Sequence, residues 1–319
     1  MKTRIAITGG AGFLGKHLVG LLAKNKNYEI VLLARNVNKY LKSFRNYSHI
    51  SFHKGNLLEP KSLNGFLTKD IILINLAYLG SDPAGNIVAA NNLINAANEV
   101  GVSQVIHCST AVVAGFNSVK FVNEETSLKP KGVYQINKVV VEKLFNNNLF
   151  SNIPLRVIRP TEIIGVENNT IIHKMIRKQK TLRILDPFYD FLLLNRRFNL
   201  VSVHNVSSAI NFLINTKIKA TRKTYIISDD NDKDNNYKNI IHIIRNQMGS
   251  STSRFPKLGL PIYLLEYIFI FFKNHSPPNR IYSNEHICRL GFKPKVSIEK
   301  ATKEILFFSL NGSKSTIHK

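Results

Sequence analysis

Short apolar runs alternate with longer segments of helical periodicity over the first half of the chain. The runs are rich in β-branched residues and have the length of buried strands, at 4–8, 29–34, 71–76, 104–108, 155–158 and 224–227. Helical spacing of apolar residues covers 86–100 and also follows the first run, at Leu14, Leu18, Leu21 and Leu22. Strands that alternate with helices predict a parallel sheet with helices on both faces.

A glycine-rich turn joins the first predicted strand to the first predicted helix. Residues 9–15 read GGAGFLG. Glycines permit a tight turn and bring backbone N–H groups close to a pyrophosphate, which rests at the positive end of the helix. Because strand, motif and helix occur in the required order, this segment predicts a dinucleotide-binding site.

The end of the second predicted strand bears on which dinucleotide binds. NAD-preferring folds usually place an acidic residue there to bond the ribose hydroxyls, whereas this strand ends in Ala34 and Arg35. Ala34 lacks the carboxylate that would repel a 2′-phosphate, and the guanidinium of Arg35 suits that phosphate, with Lys39 as a helper. The sequence therefore favours NADP over NAD. A solvated surface cation is the alternative interpretation of Arg35.

Tyr134 and Lys138 stand four residues apart, which places them on one face of a helix. A nearby ammonium lowers the pKa of a tyrosine, and the phenol then exchanges a proton with a substrate oxygen while hydride moves to or from a nicotinamide. The lysine can also hold the nicotinamide ribose. Ser109 and Thr110 follow a predicted strand, so they can supply a hydroxyl to the same substrate oxygen.

The regular alternation ends near residue 165, where loops, basic helices and an apolar segment follow. A chain of 319 residues exceeds the usual size of a single core. We therefore predict an α/β protein, a doubly wound parallel sheet (Rossmann fold) with a smaller C-terminal substrate lobe. The dinucleotide-binding domain is expected at 1–165, completed by about 199–230, and the substrate-binding lobe at 166–198 and 231–319.

These motifs together resemble the extended short-chain dehydrogenase/reductases, the family of NAD-dependent epimerases and dehydratases that act chiefly on nucleotide sugars. The resemblance covers nearly the whole chain, and further matches lie at 200–206 and 290–294. It implies that the catalytic residues are Thr110, Tyr134 and Lys138. It implies that the cofactor-binding residues are Gly9, Gly12, Phe13, Leu14, Gly15, Arg35, Asn56, Leu57, Leu76, Ala77, Tyr134, Lys138 and Pro160.

Departures from the family pattern bear on the reaction and the substrate. In the family's 4,6-dehydratases an acidic pair commonly follows the catalytic hydroxyl, whereas Ala111 and Val112 stand here, so dehydratase activity is not expected. Glu162 replaces an Asn found in many relatives, and His204-Asn205 replace a frequent Asp, which leaves the sugar and nucleotide open. We take Glu162 and Arg197 as candidate substrate-binding residues. Arg196-Arg197 can meet a diphosphate or, equally, form a solvated surface pair.

The charge and the cysteine content limit the classes of ligand and partner that are expected. The chain carries 44 Lys and Arg against 20 Asp and Glu, a net charge of +24, which suits phosphorylated ligands, anionic membrane surfaces or nucleic acid. The cations are scattered and form no recognition module, so no nucleic-acid binding is expected. Two distant cysteines argue against a disulfide framework, and the histidines lack paired ligand spacing, so no metal is expected.

Two segments have alternative interpretations. The run 229–236 briefly resembles a calcium loop but lacks its glycine and closing glutamate, so we expect a solvated loop. The apolar segment 258–272 is too short to span a bilayer. We favour a helix packed in the second lobe over an anchor in a membrane interface.

The chain is therefore expected to be an NAD(P)-dependent oxidoreductase. The first choice is an NADP-dependent reductase of a nucleotide-linked keto-sugar, with epimerase activity as the close neighbour. Alternatives are a dehydrogenase of sterols or other hydrophobic alcohols and a catalytically silent dinucleotide-binding regulatory module. The N-terminus lacks the features of a signal peptide, so a cytoplasmic protein is expected, and we also expect a homodimer.

Overall fold

The structure is a computed structural model that describes residues 2–38, 44, 47–115, 119–181, 183–218, 220–249, 258–271 and 277–311. Lys39 and residue 272, the last of the apolar segment 258–272, lie outside these residues. The described strands are β1 Thr3–Thr8, β2 Tyr28–Ala34, β3 Ile50–Lys54, β4 Ile72–Asn75, β5 Gln104–Cys108, β6 Phe121–Val122, β7 Leu155–Pro160, β8 Glu162–Ile164, β9 Leu200–Ser202, β10 Arg222–Ile227 and β11 Ile281–Tyr282. The described α-helices are α1 Phe13–Leu22, α2 Pro83–Val100, α3 Val133–Asn148, α4 Ile171–Thr181, α5 Asp186–Leu193, α6 Val203–Asn215, α7 Tyr237–Gln247, α8 Ile262–Phe271, α9 Glu285–Arg289 and α10 Ile298–Asn311.

Seven of these strands form one sheet in the order β10-β7-β5-β4-β1-β2-β3. The neighbouring pairs β3–β2, β2–β1, β1–β4, β4–β5 and β5–β7 are all parallel. The backbone bonds from Leu155 N to Thr221 O and from Thr161 N to Ile227 O advance in the same direction along β7 and β10. The prediction of a doubly wound parallel sheet is confirmed, and this topology sets the carboxyl ends of β1, β4 and β5 side by side.

The predicted strands form within two residues of their expected bounds. In the large sheet β3 was missed, and outside it the short strands β6, β8 and β11 were missed as well. Ile5, Leu73 and Ile106 are fully buried, because helices cover both faces of a parallel sheet and its strands become apolar throughout. In β3, by contrast, Ile50 is the one buried residue, since this strand lies at the edge of the sheet. Its sequence ISFHK therefore carries neither an apolar run nor a clear alternation.

Helix α2 shows how local sequence sets the ends of an element. Asp82 precedes it and accepts a hydrogen bond from Gly85 N at 2.8 Å, while Pro83 occupies the first turn, where no intrahelical N–H bond is lost. At the other end Gly101 has φ 68°, the left-handed conformation that favours glycine. The cap starts the helix three residues before the predicted residue 86.

The chain divides into two compact units. The first comprises Met1–Gly115, Ser127–Pro160 and Val206–Ile226, and the second Phe116–Thr126, Thr161–Asn205 and Ile227–Lys319. The large sheet and a core around Leu73, Leu93 and Phe145 belong to the first. The second holds the parallel pairs β6–β11 and β8–β9 and a core around Ile172 and Ile240. The predicted boundaries at 165, 199 and 230 differ from these by up to seven residues, and the role of the second unit in substrate binding stays a prediction.

The apolar segment predicted as a packed helix forms α8, directly after Pro261. Leu265 is fully buried, whereas Tyr263 and Tyr267 are 59% and 69% exposed. Helix α8 is therefore packed on the face of Leu265, as expected, but it is exposed on the face of the two tyrosines. None of the helices in the described ranges combines the length and the apolarity that crossing a membrane requires.

The run 229–236 is not the solvated loop that the sequence predicted. Asp229 and Asp230 are 5% and 2% exposed. Asp229 accepts from Ser202 N and Asn205 Nδ2, both at 2.9 Å, and Asp230 accepts from Tyr282 N at 2.7 Å. Burial raises the pKa of Asp229 to about 7 and that of Asp230 to about 6. Within the described residues, no three His, Cys, Asp or Glu side chains are grouped as a metal site.

These carboxyl groups should make stability fall as the pH rises. Their pKa values lie above the ordinary 3.8, so between about pH 4 and pH 7 the folded state binds more protons than the unfolded state. We expect Asp229→Asn, which cannot ionise, to reduce this loss by on the order of 1 kcal/mol. Thermal melting from pH 4 to pH 8 measures it, with the exposed Glu99→Gln as the matched control. Parallel pH profiles for wild type and Asp229→Asn would contradict the prediction.

Candidate functional site

The glycine turn closes at the N-terminus of α1. Gly9 has φ 70°, and Gly12 N donates to Gly9 O at 3.0 Å. A Cβ on Gly15 would overlap the Gly9 carbonyl oxygen, and one on Gly9 would lie 2.8 Å from Ala77 N, so both positions require glycine. No side chain in the described part of the chain caps α1 at Gly12. Its first-turn N–H groups are therefore available to an anion.

The structure brings two separately predicted cofactor segments together at this turn. Leu76 and Ala77 follow β4, and their backbone forms the close contact with Gly9. Leu14 is buried, and Phe13 packs edge-on against His17 with ring centroids 5.3 Å apart. These apolar contacts hold the turn in place.

Asn56 and Leu57, the predicted adenine-side pair, follow β3. Asn56 Nδ2 donates to Glu59 Oε1 at 2.9 Å, and Asn56 Oδ1 accepts from Leu58 N at 3.2 Å. Leu57 packs in the core of the first unit. The Asn56 side chain thus organises its own turn in this structure, and its contact with a cofactor stays a prediction.

Arg35 is exposed directly after β2 ends at Ala34. Lys54, also exposed, is the partner of Ala34 at the end of the neighbouring strand β3. A second cation therefore stands close to Arg35, and the sequence analysis missed it. Lys54 is 19 residues further along the chain, so only the pairing of β3 with β2 shows that it lies near Arg35.

Buried hydrogen bonds link the ends of β1, β4 and β5. Thr8 Oγ1 donates to Asn75 Oδ1 at 2.6 Å, and Asn75 Nδ2 donates to His107 Nδ1 at 3.1 Å. The His107 ring stacks on Phe145 at 4.4 Å. Burial, with a smaller contribution from the charge of Lys138, lowers the pKa of His107 to about 3, so the ring is neutral and able to accept at Nδ1. This polar ladder fixes the three strand ends relative to one another.

Lys138, on α3, is only 6% exposed. Its Nζ donates to Cys108 O at 3.2 Å and lies 4.5 Å from the centroid of the Tyr78 ring. Burial lowers the pKa of Lys138, while Cys108 and Glu142 act in the opposite direction. A cavity of about 20 Å³, enough for one water-sized molecule, is lined in part by Lys138 and Tyr78. The ammonium is thus held at the end of β5 by a carbonyl dipole and an aromatic face.

Tyr134 lies one turn before Lys138 on α3, and its hydroxyl lies close enough to the Thr110 hydroxyl for that group to lower the pKa of the phenol. Thr110 follows β5 and caps the next turn, where its Oγ1 accepts from Val112 N at 3.4 Å. Burial raises the pKa of Tyr134 to about 12, and the Thr110 hydroxyl acts the other way. The expectation that Lys138 lowers the pKa of Tyr134 is wrong in this structure. The hydroxyls of Tyr134 and Thr110, both predicted for the site, do lie close together.

Tyr78 is a site residue that the sequence analysis missed. Its ring meets that of Tyr134 edge-on, with centroids 5.3 Å apart and planes at 87°, and its face supports Lys138. Burial raises the pKa of Tyr78, so its phenol stays neutral. The available signal was its place directly after Ala77, at a strand end already assigned to the cofactor. Only the tertiary structure shows that one ring contacts both Tyr134 and Lys138.

Arg159 and Pro160, at the end of β7, are both buried. The Arg159 guanidinium forms a buried ion pair with Glu142, and Arg159 Nε lies 3.2 Å from Glu142 Oε2. Glu142 stands one helical turn after Lys138 on α3. The pair therefore joins β7 to α3 and keeps an acid near the Lys138 ammonium.

Glu162 and Arg197, the candidate substrate-binding residues, belong to the second unit. Glu162 Oε1 accepts from Ile171 N at the start of α4, at 3.3 Å. Arg197 Nη2 donates to the Asp230 carbonyl oxygen, and the Arg196 guanidinium lies 5.0 Å from each of two phenylalanine rings. These side chains support the packing of their own unit, and their contact with a substrate stays a prediction.

One known protein family matches most of the chain. A family model described as the NAD dependent epimerase/dehydratase family matches residues 5–227. The matched range contains the glycine turn, Thr110, Tyr134 and Lys138.

Relatives with assigned activities are similar over part of the chain. A GDP-6-deoxy-D-talose 4-dehydrogenase of Aggregatibacter actinomycetemcomitans is 27% identical over 213 residues, which cover 60% of this chain and 66% of the relative. A dTDP-D-glucose 4,6-dehydratase of Dictyostelium discoideum is 28% identical over 224 residues, which cover 61% of this chain and 49% of the relative. The matched region thus spans about half to two thirds of the length of these relatives.

A solved structure extends the similarity of fold to almost the whole chain. The UDP-glucuronic acid 4-epimerase of Bacillus cereus, in complex with NAD, has a TM-score of 0.71 and 20% sequence identity, and the match covers 97% of this chain and 99% of that one. The three proteins carry out different reactions. The reaction of this chain has to be argued from its own site.

Replacing Tyr78 by alanine should lower the pKa of Tyr134 from about 12 towards the ordinary 10.0, because the substitution removes a ring that helps to bury the phenol. Tyr78→Phe keeps that ring and should retain most of the shift. NMR titration of ring-labelled tyrosine measures the change, with Tyr134→Phe used to assign the signal. An unaltered Tyr134 titration in Tyr78→Ala would exclude this role for Tyr78.

Proposed function

Since the chain belongs to the NAD dependent epimerase/dehydratase family, we propose that it is an NADP-dependent reductase of a keto-sugar carried on a nucleotide. Epimerisation of such a sugar is the neighbouring reaction on the same site. The observation that carries the proposal is the hydroxyl pair of Tyr134 and Thr110, one helical turn from the buried Lys138. These groups stand at the carboxyl ends of parallel strands, where open α/β sheets bind their ligands.

The residues around the glycine turn fit a dinucleotide. Side chains at Gly9 or Gly15 would fill the space that a closely approaching backbone needs, and the uncapped first turn of α1 suits a pyrophosphate. We assign residues 9–15, Arg35, 56–57, 76–77 and Pro160 to cofactor binding, together with Tyr134 and Lys138. When bound, the nicotinamide supplies or accepts a hydride.

Tyr134 is proposed as the proton donor for the substrate oxygen. The phenol is protonated at neutral pH, so it can give its proton to a substrate oxygen that gains negative charge. Its raised pKa makes it a weaker acid than a free tyrosine, so the role rests on its position beside Thr110 and Lys138. Thr110 is proposed to hydrogen-bond the same oxygen. Lys138 would hold the ribose hydroxyls, and Tyr78, which supports the ammonium, would position it.

The residues at the end of β2 are the reason for proposing NADP over NAD and reduction over epimerisation. Arg35 is exposed there, the sequence of the strand end has Ala34 where an acidic residue is usual, and Lys54 adds a second cation for a 2′-phosphate. A reductase draws on the NADPH pool, whereas an epimerase regains its hydride in every cycle. Ala111 and Val112 lack the acid groups that a 4,6-dehydratase uses after its catalytic hydroxyl, so dehydration is not proposed, although one relative named above is such an enzyme.

The substrate-binding role is assigned to the second unit. Glu162 and Arg197 are the candidate groups, the guanidinium for a diphosphate and the carboxylate for a sugar hydroxyl. A homodimer in the cytoplasm belongs to the same proposal.

We expect Tyr134→Phe to abolish turnover and to leave cofactor affinity nearly unchanged, because the phenol donates the proton but does not anchor the dinucleotide. The loss should be on the order of a hundredfold to ten-thousandfold. NADPH oxidation with a panel of UDP-, dTDP- and GDP-linked keto-sugars measures turnover, and calorimetric titration with NADPH measures binding. Tyr267→Phe, at an exposed tyrosine of the second unit, is the control. Full turnover by Tyr134→Phe would remove this mechanism.

Arg35→Ala should weaken NADPH binding by about ten- to a hundredfold and NADH binding much less, because only NADPH carries the 2′-phosphate. A charge-assisted hydrogen bond of this kind contributes roughly 1.5–3 kcal/mol. Calorimetric titration with both cofactors tests it, and Lys24→Ala, at another exposed cation of the first unit, controls for net charge. Equal losses for the two cofactors would show that Arg35 does not read the phosphate.

A further inference from the structure

Two neighbouring segments of the second unit form an apolar patch. Leu260 N donates to Phe191 O at 2.8 Å, and Asn195 Nδ2 donates to Leu260 O at 3.2 Å, so the chain that enters α8 runs beside the end of α5. Nine large apolar side chains within residues 184–191 and 258–271 are exposed. Six of them define the apolar patch, namely Ile184, Phe188, Phe191, Leu258, Tyr263 and Tyr267.

The exposure of the apolar patch is high for side chains of this type. Ile184 is 88% exposed and Leu258 is 80% exposed. Scattered exposed apolar residues are ordinary on a protein surface, whereas a contiguous group of them marks an interaction surface. The buried Leu265 provides a packing contact for α8, so the exposed side chains are not needed to attach this helix.

Exposed cations precede the apolar patch. Helix α4 carries Lys174, Arg177 and Lys180 on its exposed surface. It ends three residues before Ile184, and Lys178 lies over the Tyr189 ring of α5. The cations therefore lie on the helix that precedes the apolar patch in the chain, and that helix contacts α5 through Lys178.

The acidic residues near the apolar patch do not offset these cations. Asp186 and Asp190, the acids of α5, are buried and form ion pairs with Arg245. Glu266, the one acid in residues 258–271, is half-buried. The charge that faces solvent next to the apolar patch is thus mainly positive.

We propose that the apolar patch and the α4 cations bind the surface of an anionic lipid bilayer. Tyrosine and phenylalanine suit the boundary between headgroups and acyl chains, and cations add attraction to anionic headgroups. The ten residues of α8 extend about 15 Å, half the thickness of a bilayer core of about 30 Å, which suits a helix that lies in the interface. A second copy of the chain fits less well, because a two-fold contact at this surface would bring the same cations together.

Co-sedimentation with vesicles tests the proposal independently of the reaction. Wild type should sediment with phosphatidylcholine vesicles that contain phosphatidylglycerol and much less with phosphatidylcholine alone. Ile184→Ser, Phe188→Ser and Tyr267→Ser combined should lower the partition coefficient by about tenfold for each side chain removed. The control combines Val88→Ser and Phe150→Ser, at exposed apolar residues of the first unit, and should bind as wild type.

A charge series separates local attraction from the net charge of +24. Lys174→Gln, Arg177→Gln and Lys180→Gln combined should weaken binding by about fivefold per cation at low salt. The control of equal charge, Lys24→Gln, Lys26→Gln and Lys69→Gln, neutralises exposed cations of the first unit and should have a much smaller effect.

A fluorescence reporter keeps the test valid if the serine variant fails to fold. The chain contains no tryptophan, so Tyr267→Trp introduces a single one into the apolar patch. Its emission should shift to the blue on addition of anionic vesicles, whereas the emission of Phe150→Trp should not. The proposal is overturned if wild type does not sediment with anionic vesicles, or if the folded serine variant binds them as wild type does. It is also overturned if that variant changes only the oligomeric state, as light scattering would show.

Discussion

The burial of one ammonium group, that of Lys138, constrains the whole carboxyl edge of the sheet. A cation withdrawn from water is costly unless dipoles or opposite charges replace its hydration. Here the carbonyl of Cys108, the ring face of Tyr78 and, one turn away, the carboxylate of Glu142 provide that replacement. Each of these groups comes from a different stretch of chain, so β4, β5 and α3 must be fixed relative to one another before the ammonium can be accommodated.

Buried polar pairs fix those elements. The ladder from Thr8 through Asn75 to His107 joins three strand ends, and the ion pair of Arg159 with Glu142 joins β7 to α3. Buried polar groups are stable only when they are paired, so these contacts specify a single arrangement of the edge. The same edge holds the Tyr134 and Thr110 hydroxyls and the glycine turn. The residues proposed for cofactor binding and for proton transfer thus share one scaffold, whereas the apolar patch belongs to the second unit.

The fold was largely predictable, and the reason lies in the strands of the first unit. Parallel strands covered on both faces are apolar along their whole length, so β1, β4 and β5 stand out in the sequence within two residues of their bounds. β3 was missed because an edge strand has few buried positions. Asp229 and Asp230 were wrongly assigned to a solvated loop, since acidic residues suggest solvent unless donors from distant segments, such as Tyr282 N, are known to meet them.

The sequence alone determined the elements, the glycine turn and the spacing of Tyr134 and Lys138, because each depends on residues close together in the chain. Glycine at position 9 follows from its positive φ, glycine at position 15 follows from the nearby Gly9 carbonyl, and a four-residue spacing gives a common helix face. Only the tertiary structure decided that Tyr78 contacts both Tyr134 and Lys138, that Lys54 ends the strand beside Arg35, and that burial raises the pKa of Tyr134. These features depend on desolvation and on contacts between residues far apart in sequence, which no local pattern encodes.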